Sequence, residues 1–207
     1  LLALGGYDQK IRVLNNLTWR PIATLVHRTQ DIRAPVDMFT EVEIPHSLAQ
    51  ESEKVLSENG VRKRTRFDLE PMPASIRVTV PADVHRAVGE RKAGVSVLEF
   101  SVEGELLVSV CDGMPNAVWV WEVAGMRLIS VVQTLRPVRS CLWSPLEKTL
   151  AIATGGPTVC LWKMGDGCVM YESPSSATAT ASALQWNPNG ESLAIMSKGL
   201  FMLGFGG

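Results

Sequence analysis

The sequence predicts an all-β protein built from the blades of a propeller, and three observations predict it. First, Ala117-Val118-Trp119-Val120-Trp121 has no polar member. A strand with one face in water alternates apolar with polar residues, so this one is covered on both faces. Second, three short apolar strands end at Phe100, Trp143 and Trp186, at intervals of 43 residues, and Leu107, Leu150 and Leu193 follow at the same intervals. Third, the next strand ends at Trp121, Trp162 and Phe205, spaced 41 and 43 residues, which keeps the phase. A repeat of this length, with a buried aromatic closing its inner strands, matches four-stranded blades stacked around an axis. An evenly spaced β-sandwich is the alternative, but it gives no reason for three landmarks to share one phase.

Length supports the fold and limits the ring. The 207 residues, 46% of them hydrophobic, suffice for a sizeable core. About three and a half repeats are present, fewer than a closed propeller requires. Leu2-Ala3-Leu4 matches Leu150-Ala151-Ile152, so the expectation is the C-terminal part of a larger, seven-bladed ring.

Charge and cysteines exclude several classes of function. A net charge of −1 gives no bulk attraction to nucleic acid or an anionic membrane. No run of about 20 apolar residues suggests a membrane span. Cys111, Cys141, Cys160 and Cys168 form no C-x-x-C pair and read as buried, reduced thiols. His27, His46 and His85 do not fall at a metal-ligand spacing, and neither a nucleophile elbow nor a P-loop is present. No catalytic, metal or cofactor site is expected, and a small-molecule ligand is not anticipated. Gly5-Gly6 and Gly155-Gly156 end second strands, where a turn or close blade packing needs a residue without a side chain.

In chain order, residues 1–26 carry the later strands of one blade: Leu1 to Tyr7, Ile11 to Asn15 after a turn at Asp8-Gln9-Lys10, and Trp19 to Val26. Leu14 stands where a tryptophan ends the equivalent strand elsewhere. Residues 27–93 depart from the rhythm. They hold 22 of the 41 charged residues, 11 of each sign, and read as a water-exposed insertion rather than a hidden blade. Within it, Ser47 and Gln50 make a capping box for a short helix. Leu48, Val55 and Leu56 form its apolar stripe, docked on the propeller rim or on a partner, and Gly60 stops it. Arg62-Lys63-Arg64-Thr65-Arg66 is a basic cluster that suits an acidic protein surface or a phosphate, or simply a solvated loop. Pro71-Met72-Pro73 is extended, and Ile76, Val78 and Val80 alternate as an edge strand.

Residues 94–135 form a blade with strands at Val95 to Phe100, Leu106 to Cys111, Ala117 to Val123 and Arg127 to Val132. Residues 136–173 form the next, and 174–207 the last, incomplete one. In blade geometry the insertion shares a face with Asp8 to Lys10, Asp112 to Asn116, Arg136 to Arg139, and Ser197-Lys198. The candidate partner-binding residues are therefore Arg62, Lys63, Arg64, Arg66, Asp112, Asn116, Arg136, Arg139 and Lys198. The packing residues are Trp119, Trp121, Trp143, Trp162 and Trp186.

Met114-Pro115-Asn116-Ala117-Val118-Trp119-Val120-Trp121, Leu135-Arg136-Pro137-Val138-Arg139 leading to Trp143, and Thr154-Gly155-Gly156 to Leu161-Trp162 resemble one family. It is the eukaryotic centrosomal WD-repeat family of the WRAP type. The opening Leu2-Ala3-Leu4-Gly5-Gly6-Tyr7-Asp8 and the later Thr18-Trp19 look like it too. The resemblance covers nearly all of the chain outside the insertion. It implies a non-enzymatic scaffold at the centrosome, spindle pole or ciliary base. It also implies a coiled-coil microtubule-anchoring partner, with a minus-end-directed kinesin joining in fungi. Glu122 and Lys163 replace the aspartate of the family's Trp-Asp pair, and no Gly-His dipeptide precedes the blades. The departure puts the usual Asp-His hydrogen-bond network in question and places the packing burden on the tryptophans. The same fold also serves substrate-recognition and RNA-processing complexes, which is the alternative function.

Overall fold

The computed structural model describes residues 1–28, 35–44, 65–70, 94–172, 181–197 and 200–205. The predicted helix after Ser47, the Pro71-Met72-Pro73 segment and the edge strand at Ile76 to Val80 lie outside these residues. So do His46, His85, Arg62, Lys63, Arg64 and Lys198.

Regular structure among the described residues is entirely strand, in four sheets. β1 (Leu2–Gly5), β2 (Lys10–Leu14) and β3 (Pro21–Val26) make the first. β4 (Asp37–Glu43) and β5 (Thr65–Leu69) join β6 (Val95–Phe100), β7 (Leu106–Cys111), β8 (Met114–Glu122) and β9 (Arg127–Gln133) in a six-stranded second sheet. The third has β10 (Ser140–Trp143), β11 (Thr149–Ala153), β12 (Thr158–Lys163) and β13 (Gly167–Glu172). The last has β14 (Ala183–Trp186), β15 (Ser192–Ser197) and β16 (Leu200–Phe205). Within each blade the successive strands are antiparallel neighbours, as a propeller requires.

The second blade shows why β8 has no polar alternation. Side chains of a strand point to opposite faces in turn. Leu107, Trp119, Trp121 and Val131 pack with Ile11, Val13 and Leu25 of the first blade. Val108, Val118, Val120 and Val132 pack with Trp143, Leu150, Ile152 and Trp162 of the third. Ala151, Ala153 and Val159 then meet Leu184, Leu193 and Ile195 of the fourth. Each interior blade is therefore cored on both sides. Trp119 is fully buried and Trp121 lies parallel to it, with ring centroids 6.2 Å apart.

The repeat also has a polar signature between blades. The Trp143 indole donates to the Glu99 carbonyl at 3.1 Å, and 43 residues later Trp186 donates to the Leu142 carbonyl at 3.3 Å. Each tryptophan thus stitches the first strand of its blade to the first strand of the preceding blade.

Two features correct the sequence reading. The insertion is not wholly a water-exposed excursion, because β4 pairs in parallel with β9 and β5 pairs with β4, extending the second blade outward. Met38 and Phe39 are buried there, and this apolar pair is what drives the segment onto the blade. Trp19 does not begin β3. It sits in the preceding turn at a φ of 58°, two-thirds exposed, with its amide on the Asn15 carbonyl. Asn15 Oδ1 accepts the amides of Leu17 and Thr18, and this side-chain turn displaces the strand start to Pro21.

Candidate interaction face

Antiparallel connectivity brings one set of loops to the same end of every blade: β1 to β2, β7 to β8, β9 to β10 and β11 to β12, together with the segments leaving β3 and entering β6. Short contacts tie these loops into one surface. The amide of Val95 donates to the Gly6 carbonyl and that of Val138 to the Pro115 carbonyl, while Gly155 and Ala181 exchange amides and carbonyls with their neighbours across the gap to the fourth blade. A Cβ on Gly113 would fall 2.9 Å from the Gln9 side chain, and one on Gly94 3.1 Å from Tyr7.

At the joint of the first two blades stands His27, just after β3, buried at 8% exposure. Its Nδ1 lies 2.7 Å from the Gln9 carbonyl and its Nε2 2.9 Å from Ser109 Oγ. A carbonyl only accepts, so Nδ1 carries the proton and Nε2 receives the Ser109 hydroxyl. Ser109 Oγ in turn accepts the Trp121 indole N–H at 2.9 Å. The imidazole meets Trp119 and Trp121 edge-on, with centroids 5.3 and 5.6 Å away. Burial pushes its pKa below the ordinary histidine value, against a smaller opposing effect of the Gln9 carbonyl. A His–Ser–Trp network thus exists at this joint without the Gly-His dipeptide, with the Gln9 carbonyl acting as the terminal acceptor. Ser109 was the available signal, as the lone hydroxyl in the apolar run Leu106 to Cys111 facing a tryptophan strand.

The connection from β9 to β10 carries Arg136 and Arg139, both exposed. Its backbone is tied down along its length. The Leu135 amide donates to Glu41 Oε2 at 2.9 Å, Thr134 Oγ1 donates to the Arg136 carbonyl at 2.6 Å, and the Arg139 amide donates to the Ala153 carbonyl at 2.7 Å. Glu41 is itself buried on β4 and receives the Thr65 hydroxyl of β5 at 2.7 Å, so the inserted hairpin braces this loop. Beside it runs a narrow crevice between that hairpin and the third blade, lined by Glu41, Phe67, Thr154, Cys160 and Met170.

The other candidate residues divide. Asp112 is exposed at the β7–β8 turn, and its Oδ2 accepts the Gly94 amide at 3.1 Å, fixing the chain as it re-enters the blade. Asn116 is not on the surface. β8 begins at Met114, so Asn116 is a buried strand residue whose Nδ2 donates to the Thr134 carbonyl at 3.3 Å. Arg66 is not part of a loop cluster either, because it lies on β5 with its guanidinium on Asp68 at 2.7 Å. All four cysteines are free, three buried and Cys168 half-buried, and Cys141 is driven far above the usual thiol range by burial. Among the described residues no cluster of histidine, cysteine, aspartate and glutamate could hold a metal ion. No helix there is long and apolar enough to cross a membrane.

No family model matches the sequence. The chain is 32% identical over 210 residues to the mouse WD repeat-containing protein WRAP73, covering 99% of this chain and 44% of that relative. It therefore spans less than half the length of the curated relative it matches. Among solved structures, the Mitotic Checkpoint Complex contains a chain similar at a TM-score of 0.48 and 14% identity, covering 97% of this chain and 45% of that one. The Cps50 (Swd1) β-propeller domain of Myceliophteria thermophila is similar at 0.41 and 22% identity, over 53% of this chain and 35% of that one. The bladed sheets, the 43-residue repeat and the sequence relationship make this chain a part of a WD-repeat β-propeller, similar along nearly its whole length to a protein of the WRAP type.

Proposed function

We propose that this chain belongs to a non-enzymatic scaffold that works at the centrosome, spindle pole or ciliary base. There it holds microtubule minus ends together with a coiled-coil anchoring protein, and a minus-end-directed kinesin can join the assembly. The observation that carries this reading is the relationship to WRAP73 along 99% of the chain. A rigid set of interlocked loops at one end of the blades, with charged side chains on a braced backbone, suits a docking platform.

The test is affinity purification of the intact protein followed by mass spectrometry. In the comparison protein, residues 44–64 are replaced by an Asn-Gly turn, which preserves the β4–β5 hairpin because Glu43 already faces Thr65. Recovery of a coiled-coil spindle-pole protein that depends on the deleted segment supports the reading. A set of captured proteins with no centrosomal or ciliary member overturns it.

A further inference from the structure

The cations of this molecule are distributed unevenly in their pairing. Ten lysines and arginines lie among the described residues. Arg12, Arg66, Arg127, Lys148 and Lys163 form ion pairs with carboxylates. Of the other five, Lys10, Arg28, Arg136 and Arg139 stand at the end of the blades where the interlocked loops gather, and Arg20 alone stands at the opposite end. At that opposite end Lys148 bridges to Glu103 and Glu105 and Lys163 to Glu147, so charge there is largely satisfied within the molecule.

Arg136 and Arg139 also converge. A Cβ on Gly155 would lie 3.5 Å from Arg139 Cγ, and one on Gly156 would lie 3.9 Å from Arg136 Nη1. The stem of Arg139 and the guanidinium of Arg136 therefore border the same bare turn, where Gly155 takes a left-handed φ of 79°. The loop that bears them is held by Glu41, Thr134 and Ala153, so little backbone freedom remains to be lost on binding. Guanidinium groups at the edge of a glycine turn can grip carboxylates bidentately while a chain passes close to the backbone.

We infer that Arg136 and Arg139, both beside the Gly155–Gly156 turn, form the docking site for an acidic segment of a partner protein. The whole-chain charge of −1 supplies no long-range pull on a polyanion. Attraction is local, and its scale fits a short acidic peptide rather than a nucleic acid backbone. The site deepens the scaffold reading by naming the chemistry of its partner, but it does not require that partner to be centrosomal.

The experiment uses the intact protein and a fluorescein-labelled Glu/Ser peptide of about a dozen residues, followed by anisotropy at low and high salt. Saturable binding is expected, and the double variant R136E/R139E weakens it on the order of tenfold or more. Arg20→Glu leaves it unchanged. The milder R136Q/R139Q variant, with a thermal melt matching the parent, separates loss of charge from loss of fold. Absence of saturable binding overturns the site, as does an equal loss in Arg20→Glu. Tighter binding of a single-stranded oligonucleotide at the same salt, lost in the same double variant, overturns the assignment to a protein segment. If the parent protein captures a coiled-coil spindle-pole protein from extracts but shows no saturable peptide binding, the scaffold reading stands and this site falls. Peptide binding without any such capture does the reverse.

Discussion

His27 and Ser109 are 82 residues apart in sequence and 2.9 Å apart in space, joined across the full length of the insertion. This bond sets where the insertion can begin. His27 closes the first blade, the chain leaves for β4 and β5, and it returns at Gly94 to a surface that His27 has already sealed. The joint does not depend on the insertion for its polar contacts, since Gln9, His27, Ser109 and Trp121 all come from blade strands or their turns.

Acid should open this joint. The neutral imidazole donates through Nδ1 and accepts through Nε2, so adding a proton at Nε2 sets its N–H against the Ser109 hydroxyl hydrogen. The pKa of His27 is lowered in the fold by burial, which means the folded state binds fewer protons than the unfolded one. Its contribution is complete above the unfolded value of about 6.5 and is lost as pH falls from there toward the depressed folded value. Melting temperature should drop on acidification through that window, and the drop should be smaller in His27→Gln. Parallel curves would refute the assignment.

The tryptophans should fall into two classes when cut to phenylalanine. Trp121 and Trp143 donate indole hydrogen bonds, whereas Trp119 and Trp162 are buried with indole nitrogens that have no partner. Trp121→Ala should cost about 3–5 kcal/mol through the lost ring. Trp143→Phe loses its bond to Glu99 and should cost about 1 kcal/mol more than Trp162→Phe, which removes an unsatisfied donor along with part of the ring. Denaturant titration of the three variants measures the ordering, and a Trp162→Phe cost larger than that of Trp143→Phe would contradict it.

What was legible in the sequence follows from the same physics. The 43-residue phase and the apolar strand at Trp119 and Trp121 exposed the blades because an interior blade buries both faces and leaves no polar alternation. In the fourth blade β14 ends at Trp186 and β16 at Phe205, where the 43-residue spacing placed them. β4 was hidden because Glu41 and Glu43 made its segment look solvated, yet Glu41 is buried and its charge is met by Thr65 and Leu135. His27 was hidden because one partner is a backbone carbonyl and the other, Ser109, lies far away in sequence, where its lone hydroxyl in an apolar run was the one trace of the network. Asn116 misled because Pro115-Asn116 has the look of a turn, whereas Asp112-Gly113 completes the turn by itself.

Close blade packing makes Gly5 intolerant of any side chain. A Cβ there would fall 2.7 Å from Val95 Cβ, at the seam between the first and second blades, and β-branched Val95 has no rotamer that moves its Cβ away. Gly5→Ala should destabilise by about 1–3 kcal/mol through overpacking. Gly104, whose φ is 71° and whose surroundings are open, should accept asparagine at little cost. A thermal melt in which Gly104→Asn falls further than Gly5→Ala would count against this seam.

Glu41 should act at a distance from its own strand. Its two carboxylate oxygens hold the Thr65 hydroxyl on one side and the Leu135 amide on the other, so the inserted hairpin and the arginine-bearing loop share one side chain. Glu41→Ala leaves the part-buried Leu135 amide without its protein acceptor, where water can take over, and should cost about 1 kcal/mol. Amide exchange at Leu135 should accelerate, while exchange in β7 and β8, which Glu41 does not touch, stays slow. Thr65→Val removes only the hairpin side of the bridge, so it should lower stability less and leave Leu135 protected. If Glu41→Ala unfolds too far to examine, Thr65→Val and Glu41→Gln still separate the two sides, because a glutamine keeps one acceptor oxygen. Unchanged exchange at Leu135 in Glu41→Ala would show that Thr134 and Ala153 hold the loop without help from the hairpin.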